Sequence, residues 1–463
     1  FRVPDFVYTL SLFISSSTAL IPIFLEREAT SREESRKFLG MVICWFSALV
    51  VALGIITFFT MPTLIKITAP GFNASDQKAA VTLARILSSQ AVLLGLSNIA
   101  STVIQASKRF AVYALAPVLY SLGIIIGVRY LYPIWGLPGI MFGVSIGALF
   151  HLLIQLPSII SLGFLPRLSF SITPAIKRVF LLSLPRTLGL SFNQFVFWVI
   201  TALASTLGAG GIAIFNLSYN LLPLTIIGVS YSIAAFPFLA SISVKNNMEN
   251  FLTHFSSGFR HIIFWSLPAT ALAIVLRAHI VRVILGAGSF DWTDTKLTAA
   301  ALAIFSLSLT SQGLVGLYTR AYYAAGVTKT PLAINGIGSA ITIAFAVILI
   351  RTHSASESFR IFFNDLLRVS GIENSVILLL PLAFSAGSLI TLFLFIADFN
   401  KKWGRTYREN FSNSILQILT ASVIVGISAF ATLRVLDSIF KLETFTGIFA
   451  HGLFAGIAGI IAG

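Results

Sequence analysis

The sequence predicts an all-α polytopic membrane protein with two six-helix lobes related by a parallel internal repeat, followed by two further C-terminal helices. Three observations carry this. First, 57% of the 463 residues are hydrophobic, only 10% are charged and mean hydropathy is +0.93. The apolar runs approach the ~20 residues that cross a bilayer as helix. Second, GFNASDQKAA at 71–80 matches SFDWTDTKLTAA at 289–300, so that Phe72, Asp76 and Lys78 pair with Phe290, Asp294 and Lys296, each 218 positions apart. Upstream, SSSTALIPIFL at 15–25 matches SYSIAAFPFL at 230–239, with Pro22 and Pro237 215 apart. Third, cationic residues collect in alternate loops.

In chain order, spans are expected near 3–25, 39–60, 79–106, 111–130, 138–160, 187–207, 212–241, 258–284, 295–325, 329–350, 374–397, 413–436 and 444–463. Loops after odd-numbered spans hold most of the Lys and Arg, including Arg27, Arg32, Arg36, Lys37, Lys108, Arg109, Lys177, Arg178, Lys401, Lys402 and Arg405. The positive-inside bias therefore puts these loops in the cytoplasm and the C-terminus with them. Carrying the repeat offset back from 187–207 reaches a point before residue 1, so the chain is expected to begin inside the second helix of its first repeat. The resulting division is an N-terminal lobe at 1–160, a connection at 161–186, a C-terminal lobe at 187–397 and an extra helix pair at 398–463. Six helices per repeat gives both lobes one orientation, related by an axis along the membrane normal.

The stretch 183–239 is the most irregular apolar part of the chain. Gly208, Gly210 and Gly211 interrupt it, Pro185, Pro223 and Pro237 sit inside it, and Asn193, Gln194, Asn216, Ser218 and Asn220 give it polar positions. Hydrocarbon offers no partner to a freed backbone group, so broken helices survive against other helices or beside a water-filled cavity. Small polar residues and prolines also serve ordinary helix packing, and both readings stand for each residue.

Composition excludes several classes. The single Cys44 gives neither a disulfide framework nor a Cys-rich metal site. The +15 formal charge belongs to membrane loops and is not a nucleic-acid footprint. No P-loop or HExxH is present, and neither a catalytic site nor a cofactor or metal is expected. His151 lies in mid-span, where a proton relay and a packed, hydrogen-bonded histidine are both open. His254 and His261 fall near a membrane boundary. Asn73-Ala74-Ser75 fits the glycosylation acceptor pattern.

A set of motifs then brings a family into view. FRVPDF at 1–6 with Ala19–Pro22, APGF at 69–72, KRFAVYALAP at 108–117, QLP at 155–157 followed by Gly163, PRTLGLSFNQ at 185–194, PLTIIGV at 223–229, GAGSFDWTDT at 286–295 and YYAAGVTKTP at 322–331 occur in order. Together they resemble the MviN/MurJ lipid II flippases of the multidrug/oligosaccharidyl-lipid/polysaccharide exporter superfamily. The resemblance implies a monomeric alternating-access carrier in the bacterial cytoplasmic membrane. Its cargo is a polyprenyl-pyrophosphate-linked cell-wall precursor, moved from inner to outer leaflet, and the last two helices help form a groove for the polyprenyl tail. Arginines suit the pyrophosphate because the guanidinium fork binds it bidentately.

The chain departs from the family pattern at several cavity positions. Tyr8 and Thr9 stand where relatives carry an arginine pair, Phe13 and Ile14 replace a Glu-Gly, Ser218 replaces a cavity arginine and Gly316 a lysine. The candidate substrate contacts are Arg2, Asp5, Tyr8, Thr9, Arg186, Asn193, Gln194, Ser218 and Asn220. Pro4, Pro22, Pro223 and Pro237 are the candidate hinges. A cation-coupled small-molecule exporter of the same superfamily, a non-transporting paralogue or scaffold, and an unrecognised membrane transferase are the alternatives. The exporter would require an acidic residue deep in a lobe, for which Asp5 is the candidate.

Overall fold

A computed structural model describes residues 2–5, 9, 31–106, 109–161, 169–171, 173–208, 210–222, 225–244, 248–288, 290–404, 411–440 and 442–463. All regular structure among them is helical. Nine helices there are long and apolar enough to cross a membrane, or ten if one bent pair counts as a single span. The expected span at 3–25 lies mostly outside the described residues, as do Tyr8, Pro22 and Pro223. Those at 187–207 and 212–241 fall on helices Pro174–Thr206, Gly211–Asn220 and Thr225–Val244.

The chain divides into two compact units, Phe1–Ala202 and Leu203–Gly463. In the first, α1 (Arg32–Thr68) and α2 (Ala74–Ala106) pack along their length, and α3 (Phe110–Ile126) lies on α5 (Leu137–Leu153). The short α4 (Tyr132–Trp135) joins α3 to α5, and α6 (Leu156–Ser161) follows. Phe38, Leu39, Val42 and Phe46 of α1 meet Ile99, Val103 and Ile104 of α2 in a core closed by Ile159 and Ile176. Ile176 belongs to α7 (Pro174–Thr206), a helix that starts thirteen residues before the expected span at 187 and crosses the boundary between the units.

The α3 and α5 pair is a small-residue interface. A Cβ on Gly123 would lie 2.2 Å from the Gly147 Cα, one on Gly127 would lie 2.6 Å from the Gly143 Cα, and one on Gly147 would meet the Tyr120 carbonyl at 2.3 Å. Where lipid is as apolar as leucine, such backbone approach is what holds helices together.

The second unit holds α8 (Gly211–Asn220), α9 (Thr225–Val244), α10 (Met248–Val275), α11 (Arg277–Leu285), α12 (Trp292–Ser306), α13 (Leu309–Ala324), α14 (Lys329–Ala355), α15 (Glu357–Leu367), α16 (Leu379–Trp403), α17 (Phe411–Leu436) and α18 (Phe445–Ala462). Its core is aromatic: Phe255 of α10, Tyr318 and Tyr322 of α13, and Phe395 and Phe399 of α16 are fully buried against one another. The α14 and α16 pair repeats the close-approach logic, since a Cβ on Gly338 would strike Thr391 and one on Gly387 would strike Thr342.

Three expected spans differ in detail. The run at 212–241 is two helices, α8 ending at Asn220 and α9 beginning at Thr225. The run at 258–284 stops at Val275, after which α11 starts a separate short helix. The run at 295–325 bends by 41° between α12 and α13, where Ser306 and Ser308 return their hydroxyls to the Leu302 and Phe305 carbonyls. Hydropathy averages over a window and does not register a local break whose backbone groups find side-chain partners.

The duplication is visible in the element boundaries. The start of α2 at Ala74 and its end at Ala106 recur 218 residues later as the start of α12 at Trp292 and the end of α13 at Ala324. The caps recur too. Asn73 accepts from the Asp76 amide at 2.8 Å, and Asp291 accepts from the Asp294 amide at 2.7 Å. Asn73 of the glycosylation-like triplet is therefore a helix cap. The helices α1 and α2, each continuous, correspond to the broken pairs α10 with α11 and α12 with α13. The second repeat also gains an insertion, α15.

Candidate functional site

The first unit brings several of the predicted residues together. Residues 2–5 are helical, with Val3 buried among Met61 and Ile65 of α1 and Ala84 of α2. Pro4 is buried within this turn. The Arg2 guanidinium stacks 4.9 Å from the centre of the Phe197 ring on α7. One helical turn earlier on that face, Gln194 donates through Nε2 to the Thr9 hydroxyl at 3.4 Å. Trp198 adds a hydrogen bond from its indole N–H to the buried Thr68 hydroxyl at the end of α1. Arg2 and Asp5 lie within electrostatic reach of one another. The N-terminal turn and the middle of α7 thus form one polar and aromatic cluster holding a cation, a carboxyl group, two hydroxyls and an amide. Arg186, Asn193 and Pro237 lie on described helices, but their side chains fall outside the described residues.

The second unit treats its candidates differently. Ser218 is fully buried and donates to the Ile214 and Phe215 carbonyls at 2.6 and 3.0 Å, so its hydroxyl is spent on its own helix. Asn220 is exposed at the end of α8. Between them Tyr219 donates to the Gln312 Oε1 at 3.5 Å, and Gln312 in turn donates to the Ser308 hydroxyl at 2.8 Å, tying α8 to the bend before α13.

One embedded group escaped sequence reasoning, and one acid near a span end finds its partner in the structure. Arg320 sits inside α13 and donates to the Ser232 hydroxyl of α9 at 2.7 Å. The segment YTRAYYA stands so near the end of an apolar run that its arginine reads as a boundary cation. Asp398 of α16 accepts a short hydrogen bond from the buried Tyr322 hydroxyl of α13. It is a structural partner of that phenol.

His151 is built into a closed network. Its Nδ1 lies 2.7 Å from the Ser97 hydroxyl, Gln155 donates to the same hydroxyl at 2.6 Å and to the His151 carbonyl at 2.8 Å, and Ser101 donates to the Gln155 Oε1 at 2.9 Å. This is the packed arrangement of the two considered, joining α2 to α5. A second histidine pair lies beside the C-terminal helices. His451 donates through Nε2 to the Leu433 carbonyl at 2.9 Å, which leaves its Nδ1 as the acceptor for His279 Nε2 at 3.0 Å. Among the described residues the remaining His279 Nδ1 is buried without a hydrogen bond.

Along α10 and α17 runs an apolar groove of about 350 Å³, lined by residues that include Ala271, Ile274, Leu419, Val423 and Gly426. Apolar walls and an open form suit an alkyl chain. Among the described residues no three His, Cys, Asp or Glu side chains converge to hold a metal ion.

Known proteins place this architecture. A family model described as "Lipid II flippase MurJ" matches residues 1–454. "Probable lipid II flippase MurJ" of Rickettsia prowazekii is 27% identical over 352 residues, covering 72% of this chain and 67% of that protein. "Lipid II flippase MurJ" of Burkholderia cenocepacia is 25% identical over 349 residues, again covering 72% and 67%. Among solved structures, "Lipid II flippase MurJ, inward closed conformation" superposes with a TM-score of 0.73 at 23% identity, covering 99% of this chain and 92% of that one. An inward-facing multidrug resistance MATE family transporter of the MOP superfamily gives 0.68 at 14% identity, with coverage of 86% and 89%.

Proposed function

Because the chain belongs to the lipid II flippase MurJ family, we propose that it moves a lipid II-like, polyprenyl-pyrophosphate-linked cell-wall precursor across the bacterial cytoplasmic membrane by alternating access. The observation that carries this is the extent of the family match, which continues through 454 and so includes α17 and part of α18. The groove along α10 and α17 supports it, since a polyprenyl tail needs an apolar bed while its headgroup travels. A polar headgroup cannot enter hydrocarbon unaided, and a cavity must replace its water.

Within this reading the headgroup contacts are Arg2, Asp5, Tyr8, Thr9, Arg186, Asn193, Gln194 and Asn220, and Ser218, buried and bonded to its own helix, is left out. Support is strongest around Arg2, where the cation stands beside hydroxyl and amide partners that suit a sugar or peptide. Pro4, Pro22, Pro223 and Pro237 act as hinges, since proline deletes a backbone hydrogen bond and bends its helix. The lobes are 1–160 and 187–397, joined by 161–186, with 398–463 as the tail-binding addition. The carrier works as a monomer without nucleic acid, cofactor or catalytic residue, and its C-terminus is cytoplasmic.

The test is complementation of a bacterial strain depleted of its own flippase, paired with a measurement of lipid II exposure at the outer leaflet. Growth with restored exposure is the expected result. A protein that inserts normally yet restores neither overturns the reading. Within a complementing protein, Arg2→Ala and Arg186→Ala are expected to lower exposure at equal expression.

A further inference from the structure

We infer that Arg320, braced by Ser232 and made possible by Gly316, is a binding site for a phosphate or pyrophosphate anion inside the second unit. The inference rests on the flippase reading for the identity of its ligand and on geometry for its place.

A cation within a membrane helix normally has a partner or a task, since its insertion costs about 2.5–3.5 kcal/mol at the centre and less toward the ends. Arg320 is half-buried, one turn before the end of α13 at Ala324. Among the described residues no carboxylate lies within ion-pair distance of it. Its hydrogen bonds run from Nη1 to the Ser232 hydroxyl at 2.7 Å and to the Gly316 carbonyl at 3.2 Å. Both acceptors are neutral, so the charge is held in place without being neutralised.

The lean of helical side chains toward the N-terminus carries the Arg320 guanidinium back one turn, over Gly316 and into the span, whereas snorkelling would take it outward along its stem. Position 316, without a side chain, leaves room for this path: a Cβ there would lie 3.1 Å from Nη1 and 3.3 Å from the Ser232 hydroxyl oxygen and would crowd both. The remaining donors, Nε and Nη2, make no hydrogen bond among the described residues, and neither is sealed from solvent. They form the edge of the guanidinium that grips two oxygens of a phosphate at once. One edge of the group is thus anchored on α9 and α13, and the other is presented. The positive-inside bias puts this end of α13 near the cytoplasmic leaflet, where a precursor made inside the cell would load.

The measurement is native mass spectrometry of the full chain in detergent, titrated with undecaprenyl pyrophosphate and separately with phosphatidylglycerol. Wild type is compared with Arg320→Ala, Arg320→Lys and Gly316→Ala. Arg320→Ala is expected to weaken pyrophosphate-lipid binding at least tenfold with phosphatidylglycerol unchanged. Arg320→Lys should weaken it less, because an ammonium is a point charge without the fork, and Gly316→Ala should weaken it while keeping the cation. Should Arg320→Ala fail to fold, the other two variants decide. Pyrophosphate-lipid binding unchanged in the folded variants overturns the site, and loss confined to phosphatidylglycerol overturns it in favour of a bulk-lipid contact. Wild-type protein that binds no pyrophosphate lipid overturns the flippase reading and the site with it.

Discussion

His279 and His451 illustrate how much one proton controls at the residue scale. The Leu433 carbonyl fixes the His451 tautomer, and that tautomer fixes His279 as donor through Nε2 and as a bare acceptor at its buried Nδ1. Burial, followed by the neighbouring His451, holds the His279 imidazole below its ordinary value, against a smaller opposing pull from Asp437. The sign follows from linkage. A histidine depressed in the folded state binds its proton more readily when unfolded, so its contribution is complete above about pH 6.5 and is lost as pH falls toward the folded value. The melting temperature in detergent is expected to drop between pH 7.5 and pH 5.5, with a smaller drop in His279→Ala. An equal drop in both proteins would show that other groups set the acid limit. Arg320 carries the complementary lesson, since a cation placed near a span end becomes informative only when the direction of its side chain is known.

Two elements show packing and exposure deciding what hydropathy leaves open. The α3 and α5 interface has backbone atoms where side chains would normally stand, with Gly143 lying against Gly127 and the Gly123 carbonyl. Gly143→Ala places a methyl group against backbone that cannot swing aside, and overpacking of this kind costs about 1–3 kcal/mol. Unfolding in a denaturing-detergent titration should register that loss, whereas Gly136→Ala, which meets no neighbouring atom but sits at φ +63°, tests strain separately from contact.

The inserted helix α15 is the other case. Its Ser356 cap accepts from the Phe359 amide at 3.3 Å, Phe363 is buried, and Ile361, Phe362 and Leu366 are 54%, 64% and 65% exposed. A short amphipathic helix joined directly to the end of a membrane span places such a face in the headgroup region. A tryptophan introduced as Phe362→Trp is expected to be quenched by lipids brominated near the glycerol end of the acyl chain. Quenching by aqueous iodide alone would put α15 in water.

Across the whole molecule polar and apolar surfaces are separated, as the proposed lipid-linked cargo requires. The polar groups gather around Arg2 and Gln194 in one unit and around Arg320 in the other, while the groove along α10 and α17 is almost wholly apolar. Gly426 lines that groove, and a Cβ there meets only the Ala271 methyl at 3.6 Å. Gly426→Leu should therefore fill the groove without disturbing the fold. It is expected to reduce retention of undecaprenyl pyrophosphate several-fold while leaving the melting temperature within a few degrees. Unchanged retention would remove the groove from the transport path. The likeness to MATE transporters, at 14% identity, is one of fold.

The sequence by itself determined the membrane class, the parallel duplication and the family. Each of these is written in one-dimensional properties: apolar run length set by bilayer thickness, a steady offset of 215 to 218 residues between equivalent residues, and motifs in fixed order. Much of the cluster around Gln194 was legible for the same reason, because polar residues in an apolar helix stand out locally. Only the tertiary structure decided how those residues are used. Ser218 looks like a pathway residue in the sequence and is consumed by its own helix, and His151 is locked by Gln155 one turn along and by Ser97 from another part of the chain. The breaks at Leu276 and Leu307 fall inside continuous apolar runs, where a hydropathy average passes over them, and near Leu307 the Phe305 carbonyl is met by the Ser308 hydroxyl. Arg320 belongs with them. Its meaning depends on a missing side chain one turn away and a serine 88 residues distant, and proximity of that kind exists only once the helices have packed.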